Sequence, residues 1–128
     1  MTQPVEGGCY CGAIRYRAAG PPKYQVICYC ANCRRAAGAQ SVAWVTVALG
    51  DFAFVAGAPV RYRTDTGAWR TFCGTCGTSL TYQNDRRPDE IDITTGSLDA
   101  AADHAPTLHA YAEERLGWEP LLGSGSAT

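Results

Sequence analysis

A single, mainly β domain with one short helix is predicted by three features of the sequence. The 128 residues suit one domain and leave little room for a second. Glycine (14) and proline (7) are plentiful while charged residues make up only 18%, which fits many short strands and turns better than a helical bundle. Period-two alternation of apolar and polar residues also recurs in short segments bounded by turn residues.

Val5–Tyr10 and Ala13–Ala18 read as the first two strands; in the second, Ile14 and Tyr16 alternate with Arg15 and Arg17. Gly20-Pro21-Pro22 ends that pair, and Tyr24–Cys28 is a third strand. Ala31–Ala37 forms about two helical turns, with Gly38 in the position that terminates helices. Val42–Leu49 and Phe52–Ala56 are strands parted by Gly50-Asp51, and Val60–Arg63 and Ala68–Phe72 are strands parted by Thr64–Gly67. Cys73–Gly77 makes a compact knuckle, Thr78–Tyr82 a strand, and Asn84–Asp89 an exposed loop. Glu90–Thr95 alternates Ile91 and Ile93 with polar residues, and Thr107–Tyr111 is a weaker last strand. The expectation is eight or nine strands and one helix in a domain over 4–120, followed by a flexible tail over 121–128 that includes Gly123–Thr128 (GSGSAT).

Several classes of function are disfavoured at once. Eleven basic against twelve acidic residues give a formal charge of −1, without the basic surface that nucleic-acid backbones select. The longest apolar stretch, Ser41–Leu49, falls far short of the ~20 residues needed to cross a bilayer. MTQPVEGG lacks the basic start and apolar run of a secretory signal. A cytoplasmic, reducing setting is expected, where disulfides rarely persist.

The cysteines carry the chemistry. There are seven, an odd number, and each lies within two or three residues of another: Cys9 and Cys11; Cys28, Cys30 and Cys33; Cys73 and Cys76. Disulfide scaffolds spread their cysteines to close large loops, whereas close spacing suits one small ion with metal–sulfur bonds of about 2.3 Å, as zinc has. C-x-x-C-Gly at Cys73–Gly77 is half of a tetrahedral site, and Cys9-x-Cys11-Gly12 supplies a second half. That site would be structural, closing a loop of roughly 60 residues. Cys28, Cys30 and Cys33 then remain as three ligands with an open fourth position, the mark of catalytic zinc. Spacing leaves other schemes open: closure by His104 or His109, ligands shared between the middle group and the knuckle, or a Cys30–Cys33 redox pair at a helix start.

Taken together, C-x-C-G at Cys9, C-x-C-x-x-C-R at Cys28–Arg34 and F-C-x-x-C-G-T at Phe72–Thr78 resemble the glutathione-dependent formaldehyde-activating (GFA-like) family, also called the CENP-V/GFA family, over about Gly8 to Trp118. The resemblance implies a β-tent fold and two zinc ions: a structural one on Cys9, Cys11, Cys73 and Cys76, and a catalytic one on Cys28, Cys30 and Cys33. It further implies a carbon–sulfur lyase activity that joins formaldehyde and glutathione into S-hydroxymethylglutathione, so the expected partner is a small glutathione-like thiol or its aldehyde adduct. The family's middle motif commonly reads Cys-His-Cys, and Tyr29 stands here in place of that histidine. Its side chain is expected to point away from the metal, leaving zinc binding intact but removing any proton-handling role of the histidine.

Arg34 and Arg35 follow Cys33 directly and are candidates to grip substrate carboxylates through bidentate hydrogen bonds. Tyr29 is a candidate donor to a substrate oxygen, and His109, which matches a histidine near this place in family members, a candidate proton carrier or zinc-supporting residue. Trp44, Trp69 and Trp118 serve either a cleft wall or the core. Two non-enzymatic functions compete with the lyase: a scaffold with two structural zincs, and a redox or metal sensor built on the three clustered thiols.

Overall fold

In the computed structural model, residues 4–120 are described, and one α-helix and ten strands, more than the eight or nine expected because the short Leu108–Ala110 segment also pairs, follow one another in the expected order. β1 (Val5–Gly8) pairs antiparallel with β2 (Arg15–Ala18), and β2 with β5 (Phe52–Ala56), giving a three-stranded sheet. The remaining strands are β3 (Tyr24–Cys28), β4 (Val42–Ala48), β6 (Val60–Arg63), β7 (Ala68–Phe72), β8 (Ser79–Asn84), β9 (Glu90–Thr94) and β10 (Leu108–Ala110). They form a seven-stranded sheet in the order β10-β3-β4-β9-β8-β7-β6. Its pairs are antiparallel except β10, which runs parallel to β3. The single helix, α1 (Ala31–Ala37), ends at Gly38, whose φ of 66° only glycine adopts without strain and whose N–H donates to the Arg34 carbonyl.

The boundaries differ from expectation where the cysteine turns intervene. β1 stops at Gly8 and β2 starts at Arg15 because Cys9–Gly12 is a tight turn, with the Gly12 N–H donating to the Cys9 carbonyl and Gly12 at φ 83°. β8 runs on to Asn84, into the segment expected to be loop. Short 3₁₀ turns at Leu49–Asp51, Thr95–Ser97, Ala101–Asp103 and Ala112–Glu114 fill the connections. The expected tail over 121–128 lies outside the described residues.

The two faces of the large sheet have different work. On one, Val45 and Val47 of β4 lie opposite Ile93 and Ile91 of β9, and these join Leu80 with Val5, Tyr16 and Ala18 of the small sheet and with Ile14 just before β2 in one buried cluster. On the other face, Trp44 and Thr46 lie opposite Thr94 and Asp92 and border a cavity that Cys28, Cys30 and Cys33 also line. Two sheets over a shared core, open on the far side of the larger one, make the mainly β, tent-like arrangement that the resemblance implied. Among the described residues no helix is long and apolar enough to cross a membrane.

Candidate metal centres and adjoining cleft

Cys9 and Cys11 sit in the β1–β2 turn, and Cys73 and Cys76 in the β7–β8 turn. The four sulfurs all lie within 4.8 Å of one another. Four sulfurs at about 2.3 Å from a tetrahedral ion stand about 3.8 Å apart; the Cys9–Cys11 and Cys11–Cys73 separations are 3.6 and 3.7 Å. Backbone amides turn toward the sulfurs: Ile14 N–H donates to Cys9 Sγ at 3.3 Å, and the amides of Thr75 and Cys76 to Cys73 Sγ at 3.4 Å. The turns are alike, each ending at a glycine with φ 83° whose N–H returns to the first cysteine's carbonyl. Hydrogen bonding from Thr78 brings the Cys76 thiol down to about 5, while the Cys11 thiol, although the Ala13 backbone hydrogen bond lowers it, is pushed up to about 11 by its contact with Cys9 and by burial; a bound metal would draw all four to the thiolate. The donor set therefore fits zinc in a closed site, and Cys9 and Cys73 place it in the buried cluster between the sheets.

Cys28, Cys30 and Cys33 come together because a strand end meets a helix start. Cys28 closes β3; Cys30 is the N-cap of α1, its sulfur accepting the Cys33 N–H at 3.3 Å. One helical turn then sets Cys33 beside it, and the three sulfurs lie within 4.8 Å of one another. The Cys28 thiol hydrogen-bonds to Cys33, the largest of the effects that bring Cys33 down to about 5; burial opposes the shift, and Arg70 Nη2, 3.8 Å from the sulfur, adds to it. The same contact pushes the Cys28 thiol up, with burial reinforcing it. All seven cysteines are free thiols. His104 is tied to Gln25 Oε1 at 2.8 Å and His109 to the Tyr29 hydroxyl at 3.1 Å, and neither belongs to a metal-ligating cluster. The two groups share no ligand, so the shared-ligand and histidine-closed schemes are not what the fold assembles. Three thiols facing a cleft fit a zinc with an open side.

That cleft encloses about 640 Å³. Trp44 and Tyr82 form one wall, their rings 5.9 Å apart, and the Arg70 guanidinium lies 4.6 Å from the Tyr82 ring centre. On the floor, Thr46 Oγ1 donates to Asp92 Oδ1 at 2.6 Å, and Arg87 Nη2 donates to Asp92 Oδ2 at 2.7 Å while its Nη1 reaches Glu90 at 3.0 Å. Arg86, Asn84, Tyr111 and Glu114 also line it. A second cavity of about 610 Å³ adjoins, sharing Asn32, Trp44, Thr66 and Arg70 with the first.

The other residues singled out in the sequence are dispersed. Arg35 is exposed and borders the second cavity; Arg34 lines neither, and its Nε is buried without a hydrogen-bond partner among the described residues. Tyr29 is fully buried and stacked on His109, the rings 5.8 Å apart and 9° from parallel, and neither lines the cleft. Trp44 is a wall of the cleft, whereas Trp69 lies beneath Arg61 and Arg63, and Trp118 is exposed. Arg70, Tyr82, Arg87 and Asp92 were not singled out. For Arg70, Tyr82 and Asp92 the only sequence signal is alternation along strands, which Asp92 between Ile91 and Ile93 displays plainly, and Arg87 falls in the Asn84–Asp89 segment read as an exposed loop.

Three comparisons bear on the site. Residues 4–114 match the family described as glutathione-dependent formaldehyde-activating enzyme. A Halomonas elongata protein named for glutathione-dependent formaldehyde activation is 29% identical over 124 residues, covering 89% of this chain and 78% of that protein. The crystal structure of a Rhodobacter sphaeroides protein aligns with a TM-score of 0.68 at 27% identity, covering 82% of this chain and 99% of that one.

Proposed function

Because the chain belongs to the glutathione-dependent formaldehyde-activating family, we propose that it is a zinc-dependent carbon–sulfur lyase, making or breaking the bond between a small glutathione-like thiol and an aldehyde carbon. The observation that carries this reading is the three-cysteine group lining a cleft large enough for a tripeptide thiol. In the forming direction the thiol sulfur joins the carbonyl carbon and the thiol proton passes to the carbonyl oxygen; in the breaking direction the same atoms separate. Zinc held by Cys28, Cys30 and Cys33 would supply the Lewis acid that stabilises a thiolate or polarises the aldehyde-derived oxygen, and a second zinc on Cys9, Cys11, Cys73 and Cys76 would be structural.

The chain's own residues divide the remaining work. Trp44 and Tyr82 offer flat apolar surface to the carbon skeleton of the thiol. Arg87, held by Asp92 and Glu90, and Arg86 place guanidinium groups in the same cleft, suited to the carboxylates of a glutathione-like molecule. Arg35 borders the adjoining cavity, within which it would meet a longer substrate. Tyr29 and His109 would act indirectly, by fixing the backbone that carries Cys28 and Cys30. A reducing cytoplasm, which keeps all seven thiols free, is the proposed setting.

Zinc per chain, measured before and after a mild chelator wash, tests this together with turnover of a thiol–formaldehyde adduct. The expected result is two zincs, one easily removed, with turnover following the removable one. A Cys30→Ser protein that retains one zinc and turns the adduct over at the unmodified rate would overturn the reading.

A further inference from the structure

Arg70 sits on β7 opposite Tyr82 of β8, and the pairing lays its guanidinium across the Tyr82 ring at 4.6 Å. From there Nη2 reaches Cys33 Sγ at 3.8 Å. The platform is itself fixed: Asn84 Nδ2 donates to the Tyr82 hydroxyl at 2.9 Å, and Trp44 backs the ring at 5.9 Å. Arg15, Arg63 and Arg87 each hold a carboxylate. Arg70, though partly buried, has no carboxylate within ion-pairing distance among the described residues. A guanidinium withdrawn from water without an anionic partner is costly unless something negative faces it, and what faces it here is the sulfur of Cys33.

We propose that Arg70 is a positioning residue that offsets the negative charge of the three-cysteine group and so sets the preference of its open side for an anionic sulfur ligand. This rests on the thiol-binding reading above and goes beyond it by naming the residue that selects thiolate. Three thiolates around a divalent ion carry a net charge of −1, and a fourth anionic sulfur raises it to −2. In a partly dehydrated cleft such an increment is strongly unfavourable. A guanidinium donating to one of the sulfurs reduces it, because it sets a fixed positive charge against them, and Arg70 lines both cavities.

The test is spectroscopic rather than catalytic. Cobalt(II) placed in the three-cysteine site, with zinc left in the closed one, reports sulfur ligation through its charge-transfer absorption. The protein is titrated with 2-mercaptoethanol, which has no carboxylate, and with glutathione. Arg70→Gln is expected to weaken both thiols by a similar factor, roughly ten- to a hundredfold, and Arg70→Lys to recover part of the loss by restoring the charge. Equal binding in R70Q and the unmodified protein would overturn the proposal. So would a loss confined to glutathione, which would make Arg70 a carboxylate anchor instead. If R70Q releases cobalt, the cobalt dissociation constant becomes the readout: restoration by lysine supports the charge role, and failure to restore it overturns the proposal. Unmodified protein that responds to neither thiol would remove the thiol-binding reading as well, which separates the two failures.

Discussion

The Tyr29 hydroxyl and His109 Nδ1 share a hydrogen bond of 3.1 Å, and their rings stack 9° from parallel. Tyr29 lies between the metal-ligating candidates Cys28 and Cys30, and His109 belongs to β10, which among the described strands alone runs parallel to its neighbour. The Tyr29 N–H donates to the Ala110 carbonyl as well. The pair therefore clasps the last strand to the segment that presents the thiols.

Removing the hydroxyl should loosen that clasp without altering the cleft. Tyr29→Phe is expected to cost about 1 kcal/mol, read as a lowered urea midpoint, with KM for the thiol adduct unchanged. A raised KM at unchanged stability would instead place the hydroxyl in contact with substrate.

The two cysteine groups should fail differently. Cys73→Ser breaks the closed group between the sheets and is expected to remove on the order of 5 kcal/mol or more of metal-linked stability, leaving protein that aggregates or unfolds at room temperature. Cys30→Ser should shift the unfolding midpoint only slightly while abolishing retention of the second zinc. Elemental analysis beside circular dichroism distinguishes the two.

Alkaline stability should follow Tyr16. Burial against the core pushes its phenol up to about 12, with the Ser97 hydrogen bond partly opposing, from about 10 in the unfolded chain. Between these values the unfolded chain has lost the proton that the folded one keeps, so stability falls as pH rises. The contribution is intact below pH 10 and is lost by about pH 12, some two pH units or about 3 kcal/mol. Urea unfolding between pH 9 and 12 should show this slope in the unmodified protein and lack it in Tyr16→Phe, which starts about 1 kcal/mol lower for want of the Ser97 bond.

On the cleft floor, Asp92→Asn should weaken the hold on Arg87. The carboxylate is nearly buried at 9% exposure, but Arg87 is 39% exposed, so solvent screens the pair and the loss is expected near 2 kcal/mol. Because Glu90 still touches Arg87, the guanidinium becomes less ordered rather than free. KM for a carboxylate-bearing thiol should rise while KM for 2-mercaptoethanol does not.

Much of the scaffold was legible in the sequence because short strands announce themselves by alternation and end at glycines. β3, α1, β5, β6 and β7 begin and end at the expected residues. The cysteine partition was favoured by spacing and is what the sulfur positions display. The rest depended on strand neighbours, which alternation does not specify. It indicates that Asp92 and Thr46 leave the apolar face, but not that β4 and β9 pair with these two residues opposite. The arginines expected at the site were Arg34 and Arg35, adjacent to Cys33 in sequence. Those lining the cleft are Arg70, Arg86 and Arg87, brought there by β7–β8 pairing and the turn before β9.

The closed group joins residues far apart in the chain, whereas Cys28, Cys30 and Cys33 fall within six consecutive residues. Cys76 follows Cys33 by 43 residues, roughly 2 to 9 seconds of ribosomal synthesis. During that interval the nascent chain carries a complete three-thiol trap beside the unpaired Cys9 and Cys11. Metal met during that interval would find the local trio, alone or with the waiting pair, before the β7–β8 knuckle emerges. If both groups take zinc, as proposed, the order of the sequence makes the trio the first to be complete, and a cell short of zinc during translation would risk misassigned thiols before the β7–β8 turn exists.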